Sequence, residues 1–165
     1  EWTDPQSPPS GNITRLRGVY IRSENGEPTD AIDIRYPFTV EMEYDVLEPG
    51  YKLLPHFHFV NEEGIKLFIA NDLDPEWRGK ERPSGRYISK AEVPGNLLAE
   101  GMVFVQVSMM TLEPIIQQFL EPDAVAFHVV DSLEGDSARG DYAGTMPGLV
   151  RPLLEWNTQY YPNGK

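Results

Sequence analysis

The sequence predicts an all-β fold, an antiparallel β-sandwich of the immunoglobulin-like or jelly-roll kind. Three observations carry this. Apolar residues recur mostly at every second position, glycine and proline turn signals punctuate the chain at short intervals, and only one short segment has helical spacing. Residues 1–12, with Pro5, Pro8, Pro9, Ser7, Ser10 and Gly11, have the composition of a linker or extended arm, so the sandwich is expected over 13–165. The first strand is expected over 13–22. The second is the clearest: Phe38, Val40, Met42, Tyr44 and Val46 alternate with Thr39, Glu41, Glu43 and Asp45, the pattern of a strand with one wet face. Further runs follow at 54–60, 65–70, 86–93, 102–112, 124–131 and 149–156. Asn25-Gly26, Pro49-Gly50, Glu63-Gly64, Ser84-Gly85, Pro94-Gly95 and Glu100-Gly101 supply the turn positions between strands. Pro114 to Leu120 is the one helix candidate, because Ile115, Ile116, Phe119 and Leu120 share a helical face between Pro114 and Pro122. It reads as a short plug at one end of the sandwich or as a partner-binding helix.

A chain of 165 residues fits one domain, and at that size roughly 70% of the unfolded chain's surface can be buried without disulfides or a structural metal. The absence of cysteine removes disulfide scaffolds, thiolate metal sites and cysteine nucleophiles, and agrees with a reducing compartment. Fourteen Lys and Arg against 26 Asp and Glu give a net charge of −12, which argues against nucleic acid and an anionic membrane surface as partners. Neutral small molecules, neutral sugars and basic protein patches remain open. No apolar run approaches the roughly 18 residues of a membrane span, and the polar start is not a secretory signal. Because the chain opens on Glu1, it is expected to be an excised part of a longer protein.

The common catalytic strings are missing. There is no Gly-x-x-x-x-Gly-Lys-Ser/Thr loop, no Gly-x-Ser-x-Gly elbow and no His-Glu-x-x-His helix, and the carboxylates are scattered along wet strand faces. His56-Phe57-His58 stands out, since imidazoles at i and i+2 on a strand project to one face and can clasp a metal. Gly50, His56, His58 and Glu62 reproduce the spacing of the first cupin motif, but the family's second motif has no counterpart. A cupin-like metal enzyme using His56, His58 and Glu62, with His128 as fourth ligand, is the enzyme alternative.

Strand parity gives another reading of the same residues. Val103, Val105, Val107 and Met109 form the uniformly aliphatic set of their run, as do Phe57 with Phe59, and Val125 with Phe127 and Val129. If these sets face the core and the three strands share a sheet, as the C, F and G strands of an immunoglobulin-like sandwich do, then His56, His58, Phe104, Gln106, Ser108 and His128 share one outer face. An aromatic ring, imidazoles, an amide and a hydroxyl suit a sugar's C–H surface and vicinal hydroxyls, and require no metal or cofactor. The same set also fits an ordinary wet sheet or a patch covered in a dimer.

The C-terminal stretch Ala138-Arg139-Gly140-Asp141-Tyr142-Ala143-Gly144, followed by Pro147-Gly148-Leu149-Val150-Arg151-Pro152-Leu153-Leu154-Glu155-Trp156, resembles the C-terminal domain of Wzt-type O-antigen ABC transporters. Leu16 to Ile21, Phe57 to Gly64, Pro94-Gly95-Asn96-Leu97-Leu98 before Gly101, and Phe127-Val129-Asp131 agree in order, so the resemblance spans about residues 13 to 156. It implies a non-catalytic carbohydrate-binding β-sandwich, joined by a linker to an upstream ATP-binding domain. Such a domain would work in the bacterial cytoplasm, peripheral to the inner membrane beside the transporter's membrane subunits. The implied cargo is the lipid-linked O-polysaccharide, recognised at its finished end and coupled to export. A homodimer is implied as well, with strand exchange as one route. Leu149 to Trp156 is the exchange candidate, and docking within its own protomer the alternative. A pure dimerisation domain is the structural rival.

Overall fold

The computed structural model describes residues 9–162. Its elements are β1 (Thr14–Ser23), β2 (Ala31–Asp33), β3 (Phe38–Val46), β4 (Tyr51–Asn61), β5 (Lys66–Asn71), β6 (Glu81–Arg82), β7 (Gly85–Val93), β8 (Gly101–Leu112) and β9 (Ile115–Val130). A three-stranded sheet in the order β1-β3-β7 packs on a larger one in the order β2-β9-β8-β4-β5, with β6 paired to β4. Neighbouring strands are antiparallel except β2 and β9, which run parallel. The expected neighbours β4, β8 and β9 lie side by side as C, F and G strands do, so the sandwich is immunoglobulin-like.

The alternation read from the sequence is what closes the core. Val40, Met42 and Tyr44 on β3, with Leu16, Val19 and Ile21 on β1, face Phe57 and Phe59 on β4, Val103, Val105, Val107 and Met109 on β8, and Phe127 and Val129 on β9. Phe38 packs on Phe127 at 4.8 Å, and Phe59 stacks on Phe68 of β5 at 4.3 Å between ring centroids. Burying one such ring contributes about 1.5–3 kcal/mol.

The segment expected as a helix is the start of β9. A two-residue turn at Glu113-Pro114 returns the chain so that Leu112 pairs with Ile115 and Thr111 with Ile116. Cross-strand pairing wins over the helical spacing because that spacing had no stripe to bury. Ile115 is 74% and Ile116 47% exposed, and only Phe119 reaches the core. In the middle of β9 the pairing skips: Val105 opposes Val125 and Val107 opposes Glu121, so Pro122, Asp123 and Ala124 stand opposite Gln106 alone, a β-bulge.

The strand expected over 149–156 does not form among the described residues. Val150 makes an isolated bridge to Leu98, Arg151 N donates to the Leu97 carbonyl, and the chain beyond is exposed and irregular. The short strands β2 and β6 fell below any readable periodicity. Of the expected arm, residues 1–8 lie outside the described residues. Residues 9–12 fold back on β1, where Leu16 N donates to Pro9 O and Gly11 packs on Gln118. At the Pro94-Gly95 turn it is Asn96 that takes the left-handed position, at φ 55°. Gly95 is required for a different reason, since a Cβ there would overlap the Arg35 carbonyl.

The C-terminal signature is an arginine clasp. Arg139, with 5% of its side chain exposed, donates to Asp131 Oδ2 at 3.4 Å, to Glu100 Oε1 at 2.5 Å, and to the carbonyls of Tyr142 and Gly144. Arg151 donates to the Met146 carbonyl and lies 3.3 Å from Glu100. Burial would raise the Asp131 carboxyl, but hydrogen bonds from Ser137, the Leu133 amide and Arg139 together hold it below its ordinary value. Charge pairing, rather than strand pairing, folds the tail over this end of the sandwich.

Candidate functional site

The six residues expected on one face do share it. Directly opposed residues of an antiparallel pair point the same way, and the register aligns His56 with Ser108, His58 with Gln106, Phe104 with Ala126, and Met102 with His128. β4 and β8 hold the centre of the group because their alternate residues Phe57, Phe59, Val105 and Val107 are locked into the core.

The face is not uniformly open. His56 is 6% and Ser108 2% exposed, so these two lie beneath the surface they help to build; His58, Phe104 and Gln106 are half-buried and His128 is exposed. His56 Nδ1 lies 3.0 Å from the Leu54 carbonyl, so this nitrogen is the donor, and Ser108 Oγ donates to the Phe119 carbonyl at 3.3 Å. His56 Nδ1 and Ser108 Oγ are committed to the backbone, which makes these residues supports. His58 differs: its ring lies 5.3 Å from that of His56, and its buried Nδ1 has no hydrogen-bond partner. Burial first, then the charges of Lys66 and His56, lower its pKa, so the ring is neutral near pH 7 and offers both a donor and an acceptor.

Two apolar side chains that sequence reasoning did not place here extend the face. Ile69 of β5, 50% exposed, opposes His58, and Leu120 of β9, 43% exposed, opposes Ser108. Leu120 falls within the helix candidate, and only a hairpin turn at 113–114 brings it opposite Ser108. The bulge at 122–124 borders Gln106. The resulting surface carries an aromatic ring, a planar amide and a neutral imidazole between aliphatic walls.

The cupin-like ligand set does not assemble. Among the described residues no group of three His, Cys, Asp or Glu is spaced to hold one ion. Glu62 sits in the turn after β4, beside Gly101, and His128 opposes Met102 at that end of the β8–β9 ladder, whereas His58 and His56 oppose Gln106 and Ser108 farther along β8. The half-motif arises from strand pleat alone.

No protein-family model matches the chain, and no curated protein matches it. Among solved structures, the crystal structure of the C-terminal domain of Wzt superposes with a TM-score of 0.63 at 16% identity, covering 93% of each chain. A Bacteroides fragilis protein assigned as a beta-galactosidase aligns over 66% of this chain and 16% of its own at a TM-score of 0.38, too little to carry an argument. The chain therefore has the fold of the Wzt C-terminal domain.

Proposed function

We propose that this chain is a non-catalytic glycan-binding module that recognises the terminus of an O-polysaccharide and couples it to export by an ABC transporter. The observation that carries the reading is the outer face of β4 and β8, where Phe104, Gln106 and His58 combine a ring for stacking with neutral hydrogen-bonding groups, on a sandwich sharing the Wzt C-terminal fold. Leu120 and Ile69 flank this patch, and His128 extends it. A net charge of −12 favours an uncharged polymer over an acidic one. The module works in the bacterial cytoplasm, held beside the inner membrane by the transporter's nucleotide-binding and membrane subunits. Among the described residues no helix is long and apolar enough to cross a membrane. Shallow, wet sites give modest affinity each, so the protein acts as a homodimer that engages the glycan twice.

The deciding experiment titrates the purified chain with O-polysaccharides of different serotypes. Selective binding is expected, and binding to none would end the reading. Phe104→Ala with Gln106→Ala should weaken retention by about tenfold or more, with melting temperature and molecular mass unchanged. Unchanged retention would remove the face from the site.

The rival reading as a pure dimerisation domain is favoured by one feature, the exposed apolar tail. Leu153 is 52%, Leu154 62% and Trp156 88% exposed beyond the Arg151 clasp, a run that a second protomer would cover. Leu153→Ser with Leu154→Ser should yield a monomer by light scattering. Retained single-site glycan binding in that monomer separates the two readings.

A further inference from the structure

The two sheets are not sealed along one side. β5 ends the larger sheet and β7 the smaller, no ladder joins them, and the connection through 72–82 crosses the opening. A groove of about 660 Å³ lies there, within the roughly 300–1,000 Å³ typical of small-ligand sites. Trp77, Tyr87, Arg82, Asp72, Ser89 and Phe57 are among the residues that line it.

The groove has a built polar cluster. Asp72 Oδ2 accepts from Arg82 Nη2 at 2.9 Å and from Ser89 Oγ at 3.0 Å. Arg82, with 3% of its side chain exposed, also donates to the Tyr44 hydroxyl, and its guanidinium lies 5.7 Å from the Trp77 ring centroid and 5.9 Å from that of Tyr87. Trp77 meets Tyr87 edge-on at 5.4 Å, and Tyr87 stacks on Tyr44 at 5.6 Å, which fixes the aromatic wall. Burial would raise the Asp72 carboxyl, but the bond to Arg82, the Asp74 amide and Ser89 together keep it low, so the ion pair is intact at neutral pH. One donor is left over: Arg82 Nε is buried and has no hydrogen-bond partner. A buried unpaired donor is unfavourable until something supplies an oxygen.

We infer that this groove binds a sugar unit of an uncharged saccharide, with Trp77 as its stacking surface and Arg82, Asp72 and Ser89 as its hydroxyl partners. The inference rests on the glycan-binding reading above and adds a second contact for the same polymer. Charge selects the ligand class. Arg82 is already neutralised by Asp72 and Lys90 by Glu41, and Asp74 and Glu92 border the opening, so a phosphate or carboxylate finds no unpaired cation and meets like charge. A ring whose C–H face covers indole and whose hydroxyls both donate and accept satisfies the cluster without disturbing the ion pair. The groove is within reach of the outer face, because Asn71 borders it and is also the β5 residue that opposes His56. A glycan crossing the outside of β5 touches both.

Proton–nitrogen correlation spectra of the full chain tests this, with glucose, galactose, mannose and a delipidated O-polysaccharide as probes. The Trp77 indole resonance is assigned by Trp77→Phe, and Trp156 serves as control. At least one hexose or the polysaccharide should shift the Trp77 indole through the millimolar range. Ser89→Ala, which keeps the loop and the aromatic wall, should weaken that response about tenfold with the chain still folded. Asp45→Asn, outside the three-stranded sheet, should leave it intact. An unmoved Trp77 indole with every probe overturns the groove, as does an unchanged response in Ser89→Ala. If the groove fails while Phe104→Ala with Gln106→Ala still abolishes polysaccharide retention, the glycan-binding reading stands alone. If no probe binds anywhere, both fall.

Discussion

Outside the three-stranded sheet the carboxylates of β3 meet cations across the strands. Asp45 lies 2.6 Å from Arg17 and 2.9 Å from Arg15, Glu41 lies 2.6 Å from Arg22 and 2.8 Å from Lys90, and Glu43 lies 3.3 Å from Arg86. Outside the larger sheet, Lys52 of β4 pairs with Glu113 at one end, but the patch around His58, Phe104 and Gln106 carries a neutral imidazole, a phenyl ring and an amide instead. Both faces come from the same alternation of inward apolar residues, so the difference lies only in what occupies the outward positions. Groups that satisfy each other have little left to offer a ligand, whereas neutral polar groups bordered by apolar walls retain donors and acceptors.

The contrast breaks most sharply at Ser108. Glu41 is 5% exposed and Ser108 2%, but only Glu41 has two cations beside it. Ser108→Glu should therefore cost about 3 kcal/mol or more in urea denaturation, the penalty of an uncompensated buried charge. A cost below about 1 kcal/mol would mean the face can supply a counter-charge.

A smaller effect is expected from Asp45→Asn, about 1 kcal/mol, since its arginine partners are 37–57% exposed and water screens them. Raising salt should shrink the difference, and glycan retention should not change, because the opposite face is untouched.

Below about pH 4 acid should act on the charged face. For both Glu41 and Asp45 burial alone would raise the pKa. At Glu41 the bonds from Arg22 and Lys90, and at Asp45 those from Arg17, Arg15 and Arg86, outweigh burial and leave the folded-state values lowered. Their contribution is complete above the ordinary carboxylate range of about 4, and is lost as pH falls through the lowered folded values. Glu41→Gln with Asp45→Asn should flatten the acid limb of a stability–pH curve; an unaltered limb would count against these pairs.

The smallest effect belongs to His58. Its folded pKa is lowered, so the unfolded chain takes the proton first and stability declines as pH falls from about 6.5 toward the folded value. His58→Gln should remove that decline and leave the curve above pH 7 unchanged. A curve identical to wild type between about 5 and 7 would indicate that the imidazole is as free as in the unfolded chain.

Strand parity was legible wherever one face is uniformly aliphatic. Val103, Val105, Val107 and Met109 declared the orientation of β8, and Phe57 with Phe59 that of β4, so the shared face of the six candidate residues followed. Depth was not legible. Ser108 and His56 point outward yet are covered, because a twisted sheet with Leu120 and Ile69 beside it closes over small or central side chains, and a period of two carries no information on neighbouring strands. The helix expectation failed because Ile115 and Ile116 imitate an amphipathic spacing that only a partner surface could reward. The edge groove was unreadable for a different reason: Trp77 and Asp72 come from an irregular connection and Arg82 from the two-residue β6, and Ser89 and Tyr87 are brought opposite by sheet packing alone.

The bulge in β9 has an arithmetic consequence. Three residues face one, a surplus of two, so the inside–outside count resumes in phase beyond Ala124 and both Phe119 and Phe127 reach the interior. Excising any two of Pro122, Asp123 and Ala124 would straighten the ribbon and keep that phase. Excising a single one would leave two residues opposite Gln106, a bulge of the kind that Arg17 makes in β1, where Leu16 before it and Val19 after it both stay inside.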